Sequence, residues 1–338
     1  MKRLTVAGRL LITALVIGAI FVGYKYFGGQ QALEKVAQEQ KSEAGVAATT
    51  TESTESSEAA STDNQATDAA KEAFSYTAPD PVDGKLKGVV ELGASGFNSF
   101  IIKVDSQKRW KLEKSEFGNS LVTENMATDE DVRIGLKKYI GTMLDFGVGK
   151  KDIHFVVSSG AAKADVTKKI TAALKSLGYV VNQVTAEQEG QLALKSVLPA
   201  EYASKAFVVD IGSGNTKISW IEGSGIKAIE SYGAKYFQDG TEDKKVYDEV
   251  NAKSKQIPSD LRKTAFIIGG VPFEMAKEVR KDKERYTVLS APAYYAKLSN
   301  AKSKAGVNIY KAVGDATGCQ QFVFDWDANF TIGFLLTL

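Results

Sequence analysis

The chain has almost no cysteine and almost no histidine. Of its 338 residues one is cysteine, Cys319, so no intramolecular disulfide can form and no cysteine-based zinc site can be assembled. The single histidine, His154, lies in the apolar run 153–157, where a side chain entering a strand is the expected reading. Ser/His/Asp and Cys/His chemistry and multi-histidine metal centres are therefore set aside. A strong net charge is also lacking: the formal value of +2 argues against a dedicated nucleic-acid binder, and none is expected as a partner. With 43% hydrophobic and 25% charged residues the composition is that of a globular protein.

The small net charge hides opposed segments. Lys2, Arg3 and Arg9 precede an apolar run from Leu10 to Tyr24, and Tyr26 and Phe27 extend it past Lys25. This is a signal-anchor pattern in which Arg9 snorkels and the aromatic pair suits the interface. A cleaved signal peptide is the rival reading, against which no clear A-x-A site follows the run; no cysteine is present there to form a lipobox. The cationic flank leaves the rest of the chain outside the cytoplasm. Residues 1–28 are thus expected to form a single-pass anchor in the inner (cytoplasmic) membrane, with residues 10–27 contacting lipid. Residues 29–82 are rich in Ala, Ser, Thr, Glu and Gln and read as a disordered linker. Between 31 and 80 ten acidic residues face three basic ones, and about 50 such residues reach roughly 40 Å.

From Gly84 onward the pattern alternates strands with helices. Thr128 to Asp131 opens a helix with Val132, Leu136, Ile140 and Met143 on one face, closed by Gly147. A strand over 153–157 follows. Asp165 opens a second helix with Val166, Ile170, Leu174 and Leu177, stopped by Gly178 before a strand over 179–184. Such alternation predicts a largely parallel sheet with helices on its faces. The charged stretch 277–285 is read as a solvated helix face.

Two segments 119 residues apart match each other, Gly88 to Gly96 and Phe207 to Asn215, with the shared formula V-V-acid-aliphatic-G-small. Each is followed by a second apolar run, so each reads as a hairpin with a glycine-rich turn, one duplicated unit making two lobes. Backbone N–H groups of such turns can surround phosphate oxygens, and the strand-end acids Glu91 and Asp210 can hold a divalent metal. The simpler reading is that Gly93, Gly212 and Gly214 only permit tight hairpins. A further pair, Gly269 and Gly270, stands between an apolar strand and a helical run over 273–283, where a phosphate or nucleotide could rest.

These features together resemble the exopolyphosphatase/guanosine-pentaphosphatase (Ppx/GppA) family of the actin/sugar-kinase/heat-shock ATPase superfamily, over Lys87 to Leu338. Glu91 to Ser95 is similar to the family's D-[IL]-G-S-N turn, and Val157 to Ala162 to its A-T-S-A-V-R strand end. Val184 to Gly190 is similar to I-S-G-x-E-E-A, and Asp210 to Lys217 to D-I-G-G-G-S-T-E. Ser231 to Ala234 is similar to P-L-G-A, and Asn329 to Leu336 to the family's G-L-R-E-G-L-L helix start. The resemblance implies an α/β, two-lobed, duplicated actin-like (ribonuclease H-like) fold, with lobes at 83–200 and 201–338. It implies phosphate contacts at Gly93, Ala94, Ser95, Ser158, Lys163, Gly212, Ser213, Gly214, Asn215, Gly269 and Gly270, and magnesium at Glu91 and Asp210.

The departures from the family pattern fall on functional positions. The resemblance implies a glutamate that activates the attacking water, yet the first position of the E-E pair is Gln188, which cannot take a proton near neutral pH. Glu189 or Glu187 could substitute only if the loop shifts. The motif arginine falls on Ala162 beside Lys163, Lys217 replaces the glutamate closing the second-lobe motif, and Glu91 stands for the first-lobe aspartate. The expectation is a membrane-anchored, periplasmic binding or scaffold domain of an envelope complex, with envelope proteins, a second copy of the chain, and polyphosphate or a nucleotide as candidate partners. The alternatives are an active exopolyphosphatase-type hydrolase, with Glu189 or Glu187 as base, and an actin-like filament former.

Overall fold

The computed structural model of the chain describes residues 74–93, 96–117, 129–162 and 165–338. The expected anchor, the expected linker as far as residue 73, and Ala94, Ser95 and Lys163 lie outside the described residues. Among the described residues no helix is long and apolar enough to cross a membrane.

Strands β1 (Lys85–Gly93), β2 (Gly96–Val104) and β3 (Trp110–Phe117) form an antiparallel meander. Helix α1 (Asp129–Phe146) leads to β4 (Ile153–Val157), and α2 (Asp165–Ser176) to β5 (Val181–Gln183), giving the order β3-β2-β1-β4-β5 with β4 and β5 parallel to β1. In β1 the successive residues Val89 and Val90 point to opposite faces and both are fully buried, the signature of a central strand covered on two sides. Gly147 and Gly178 stop their helices at positive φ (102° and 79°), a conformation glycine adopts without steric cost. Strand β5 is shorter than the apolar run 179–184 because Val180 is exposed and Tyr179 leaves the ladder to pack on Phe155.

Helix α3 (Ala186–Val197) carries the chain to a second sheet. It contains β6 (Ala206–Ile211), β7 (Asn215–Glu222) and β8 (Gly225–Tyr232), then, past α4 (Asp243–Ser254), β9 (Thr264–Ile268). After α5 (Gly270–Lys277) come β10 (Tyr286–Val288), α6 (Ala301–Thr317), β11 (Gln321–Asp325) and α7 (Phe330–Leu336). The order is β10-β11-β9-β6-β7-β8. Without the added edge strand β10 it repeats the first sheet, three antiparallel strands followed by two parallel to the first of them. The duplication extends to register: Glu91 stands opposite Asn98, and Asp210 opposite Lys217, each seven residues on.

The two sheets share a core. Val89, Phe100 and Val156 from the first and Val208, Phe266 and Val323 from the second join Leu192 and Val197 of α3 and Ile332 and Leu335 of α7 in one buried cluster. Each such side chain contributes roughly 1.5–3 kcal/mol when fully buried. Helices α1 and α2 cover the other face of the first sheet, and α4, α5 and α6 that of the second. The crossing of α3 and α7 depends on Gly333, since a Cβ there would lie 1.9 Å from the Leu192 carbonyl oxygen. Gly333→Ala is expected to lower stability by about 2 kcal/mol through this overpacking, read as a lower urea midpoint at unchanged slope.

Two sequence expectations are corrected. The segment read as linker to residue 82 is packed from Phe74 onward: Phe74 stacks on Tyr202, Phe266 and Tyr286, and the Val82 N–H donates to Asp105 Oδ2 at 3.0 Å. Nor is 277–285 a helix face. Helix α5 ends at Lys277, Arg280 lies 3.7 Å above the Trp326 ring, and Arg285 pairs bidentately with buried Asp325 at 3.0 and 3.1 Å. Lys277, Glu278, Lys281, Asp282 and Lys283 are exposed as expected.

Candidate functional site

The matched hairpins bring their acids to the cleft between the sheets. Glu91 keeps some accessible surface but lies deep, and burial pushes its carboxyl up to about 7 despite two amide donors. Those donors are Asn98 Nδ2, its cross-strand partner, at 2.9 Å, and Asn329 Nδ2 at 3.1 Å. Asn329 is the N-cap of α7: its Oδ1 accepts from the Thr331 N–H and hydroxyl, which turns the amide nitrogen toward Glu91.

The second acid is held differently. Asp210, 7% exposed, faces Lys217 Nζ at 3.7 Å, and the same ammonium stands 2.5 Å from Oε2 of Glu189, which has no exposed surface. Burial opposes the charge on Lys217, but Asp210 and Glu189, helped by Glu91, outweigh it and hold its pKa above the ordinary lysine range. Glu189 also accepts the Ser159 N–H at 2.5 Å and the Ser159 hydroxyl at 3.1 Å. Asn215 Nδ2 donates to the Ser159 oxygen and to Glu230 Oε1, so one chain of bonds joins the ends of the two sheets.

The glycine turns that pack against the second hairpin, after β8 and β9, are dictated by close backbone approach. A Cβ on Gly233 would lie 2.3 Å from the Asn215 nitrogen, and one on Gly269, at φ 112°, 2.2 Å from the Ile211 oxygen. Gly212 N–H bonds the Asn215 carbonyl, and the Ala234 and Lys235 N–H groups that follow β8 close on the carbonyls of Gly212 and Ser213. A Cβ on Gly214 would lie 3.6 Å from the Gly160 Cα, so the turns of the two lobes approach each other closely.

Among the expected site residues, Gly93, Gly212, Ser213, Gly214, Asn215, Glu91, Asp210 and Glu189 line this cleft or its turns. Ser158 is near but engaged elsewhere: its N–H bonds Leu92, and it is Ser159 that reaches the buried carboxylate. Gln188, at the expected base position, is exposed and closes a capping box with Thr185, whose hydroxyl accepts the Gln188 N–H while the glutamine oxygen accepts the Thr185 N–H. Glu187 is exposed on the same turn. Glu189 enters the cleft with no shift of the loop. Gly269 and Gly270 open α5, where the half-buried Lys302 comes near Gly270; burial and then Lys235 lower the Lys302 pKa. The sequence reading missed Asn98, Asn329, Ser159, Lys235 and Lys302. The matched register of the two hairpins points to Asn98, and Ser159 and Asn329 lie within the matched segments 157–162 and 329–336, whereas no sequence signal marks Lys235 or Lys302.

Magnesium, expected at Glu91 and Asp210, does not fit these residues. It demands near-octahedral oxygen ligands at about 2.0–2.1 Å. Glu91 Oε2 is engaged by two amides and Asp210 is faced by an ammonium. Among the described residues no three Asp, Glu, His or Cys side chains converge as a metal-binding group.

Compared with known proteins, the chain matches no family model and no curated protein sequence. Its fold is that of solved Ppx/GppA-type structures. It is similar to a Ppx/GppA phosphatase of Aquifex aeolicus at 16% identity and a TM-score of 0.56, over 75% of this chain and 99% of that one. It is similar to an exopolyphosphatase of Cytophaga hutchinsonii at 15% identity and 0.59, over 75% and 97%. An exopolyphosphatase-like protein aligns at 13% identity and 0.55, over 74% and 98%. The architecture is thus a two-lobed, actin-like α/β fold of the exopolyphosphatase type.

Proposed function

We propose that this chain is a non-hydrolytic relative of exopolyphosphatase-type phosphohydrolases, a binding or scaffold domain held outside the cytoplasm by its N-terminal anchor. One observation carries the reading: Lys217 bridges Glu189 and Asp210 inside the cleft. A general base needs a free lone pair and a proton affinity near the working pH. Glu189 gives one oxygen to the Ser159 N–H and the other to the Ser159 hydroxyl and an ammonium. Its carboxylate stands among donors of the kind that elsewhere receive a phosphoryl oxygen, and Lys217 supplies the positive charge. The signal-anchor pattern of residues 1–28 supports the location, where nucleoside triphosphates are scarce.

The full-length protein, given magnesium and either polyphosphate, ATP or guanosine pentaphosphate, is expected to release no phosphate above a heat-treated control. Turnover by the wild type that Glu189→Gln abolishes would overturn the proposal. That outcome would establish the second reading, an active hydrolase with Glu189 as base, which its position in the cleft favours.

A further inference from the structure

A second concave site lies away from the cleft, where the segment 74–80 crosses between β3 and β10. The cavity is about 470 Å³, in the size range of small-ligand sites, and Tyr76, Trp110 and Tyr286 wall it. Arg285 lies inside, its guanidinium 4.4 Å from the Trp110 ring and 5.1 Å from that of Tyr286.

The charges around this cavity do not balance. Asp325 is satisfied: it accepts two bonds from Arg285 and the Asp327 N–H at 3.0 Å. Asp327, on the cavity wall, accepts no hydrogen bond among the described residues, and its contact with Arg285 Nε is long, 3.6 Å. Burial raises the Asp327 pKa, against the pull of Arg285, Arg280 and Lys111. Lys111 is paired with Asp80 at 3.2 Å, and Arg280 is stacked on Trp326 and bonded to the Glu284 carbonyl. Four carboxylates, Asp80, Glu284, Asp325 and Asp327, thus surround three cations. An aromatic-walled cavity whose wall carries a carboxylate held only by one long ion-pair contact and still 30% exposed favours a positive guest.

We propose that this cavity binds an organic cation, an alkylammonium or guanidinium group, with Asp327 as its counter-ion and Tyr76 and Tyr286 as its aromatic walls. The proposal is independent of whether the cleft hydrolyses anything. Full-length protein titrated with n-butylammonium and n-butylguanidinium chloride, followed by calorimetry and tryptophan fluorescence, should show saturable binding at one site per chain that weakens at high salt. The neutral isostere of n-butylammonium, 1-butanol, should not bind. Asp327→Asn should weaken binding at least about tenfold. Tyr76→Ser, on the crossing segment, should do the same if Asp327→Asn fails to fold. Absence of saturable binding, equal binding of the alcohol, or unchanged affinity in a folded variant would each overturn the proposal.

Discussion

Lys217→Met is expected to cost about 3–5 kcal/mol of stability, the range for removing one partner of a buried ion pair. The substitution is nearly isosteric along the aliphatic stem, so little packing is lost. What is lost is the only positive charge within ion-pair distance of Glu189 and Asp210 among the described residues. Two carboxylates then share a cleft that water scarcely enters, and Glu91 adds to their repulsion. Adding Glu189→Gln should restore part of the loss, because a neutral amide can still accept the Ser159 N–H. Urea unfolding of wild type, single and double variants measures both effects. A loss below about 1 kcal/mol for Lys217→Met would place the ammonium in solvent, since exposed pairs contribute only that much.

The other large effect depends on pH. Glu91 carries a pKa of about 7 in the folded chain against an ordinary 4.5. Below pH 4.5 both states hold the proton. Between 4.5 and 7 the unfolded chain releases it and the folded chain keeps it, so stability falls as pH rises and the loss is complete above 7. At about 1.4 kcal/mol per pKa unit the full loss is about 3.5 kcal/mol. Glu91→Gln should lack this decline while keeping an acceptor for Asn98 and Asn329. Asp325 and Asp327 are also raised, so the wild-type profile alone mixes several groups. The difference between wild type and Glu91→Gln isolates the contribution, and a difference that stays flat from pH 5 to pH 8 would contradict it.

Much of the architecture was legible because it is written locally. The helices announce themselves through apolar spacing and terminal glycines, and the duplicated hairpin through a nine-residue match. The match even fixes Asn98 and Lys217 as equivalent positions across from the two acids. Lys217 stood out as a reversed charge, but its partner did not. Glu189 lies on the first turn of α3, 28 residues earlier, and only the packing of α3 against β7 brings the two together. The same limit hid Ser159, placed by the end of β4. It also made 277–285 look like a solvated helix, because the buried acid that draws Arg285 inward comes 40 residues later. Phe74 and Tyr76 read as linker because they close a compositionally biased stretch, although their aromatic partners are Tyr202, Phe266 and Tyr286.

That aromatic cluster has a mechanical consequence. A pull on the chain ahead of residue 74 does not reach β1 directly, although β1 is the first strand and the centre of its sheet. It meets the stacked rings first, and then the bond from Val82 to Asp105, an aspartate itself gripped by Arg109 at 2.6 Å. Tension is thereby passed first to β9 and β10 of the opposite sheet and then to the β2–β3 connection, and the ladder of β1 is shielded from being peeled open residue by residue.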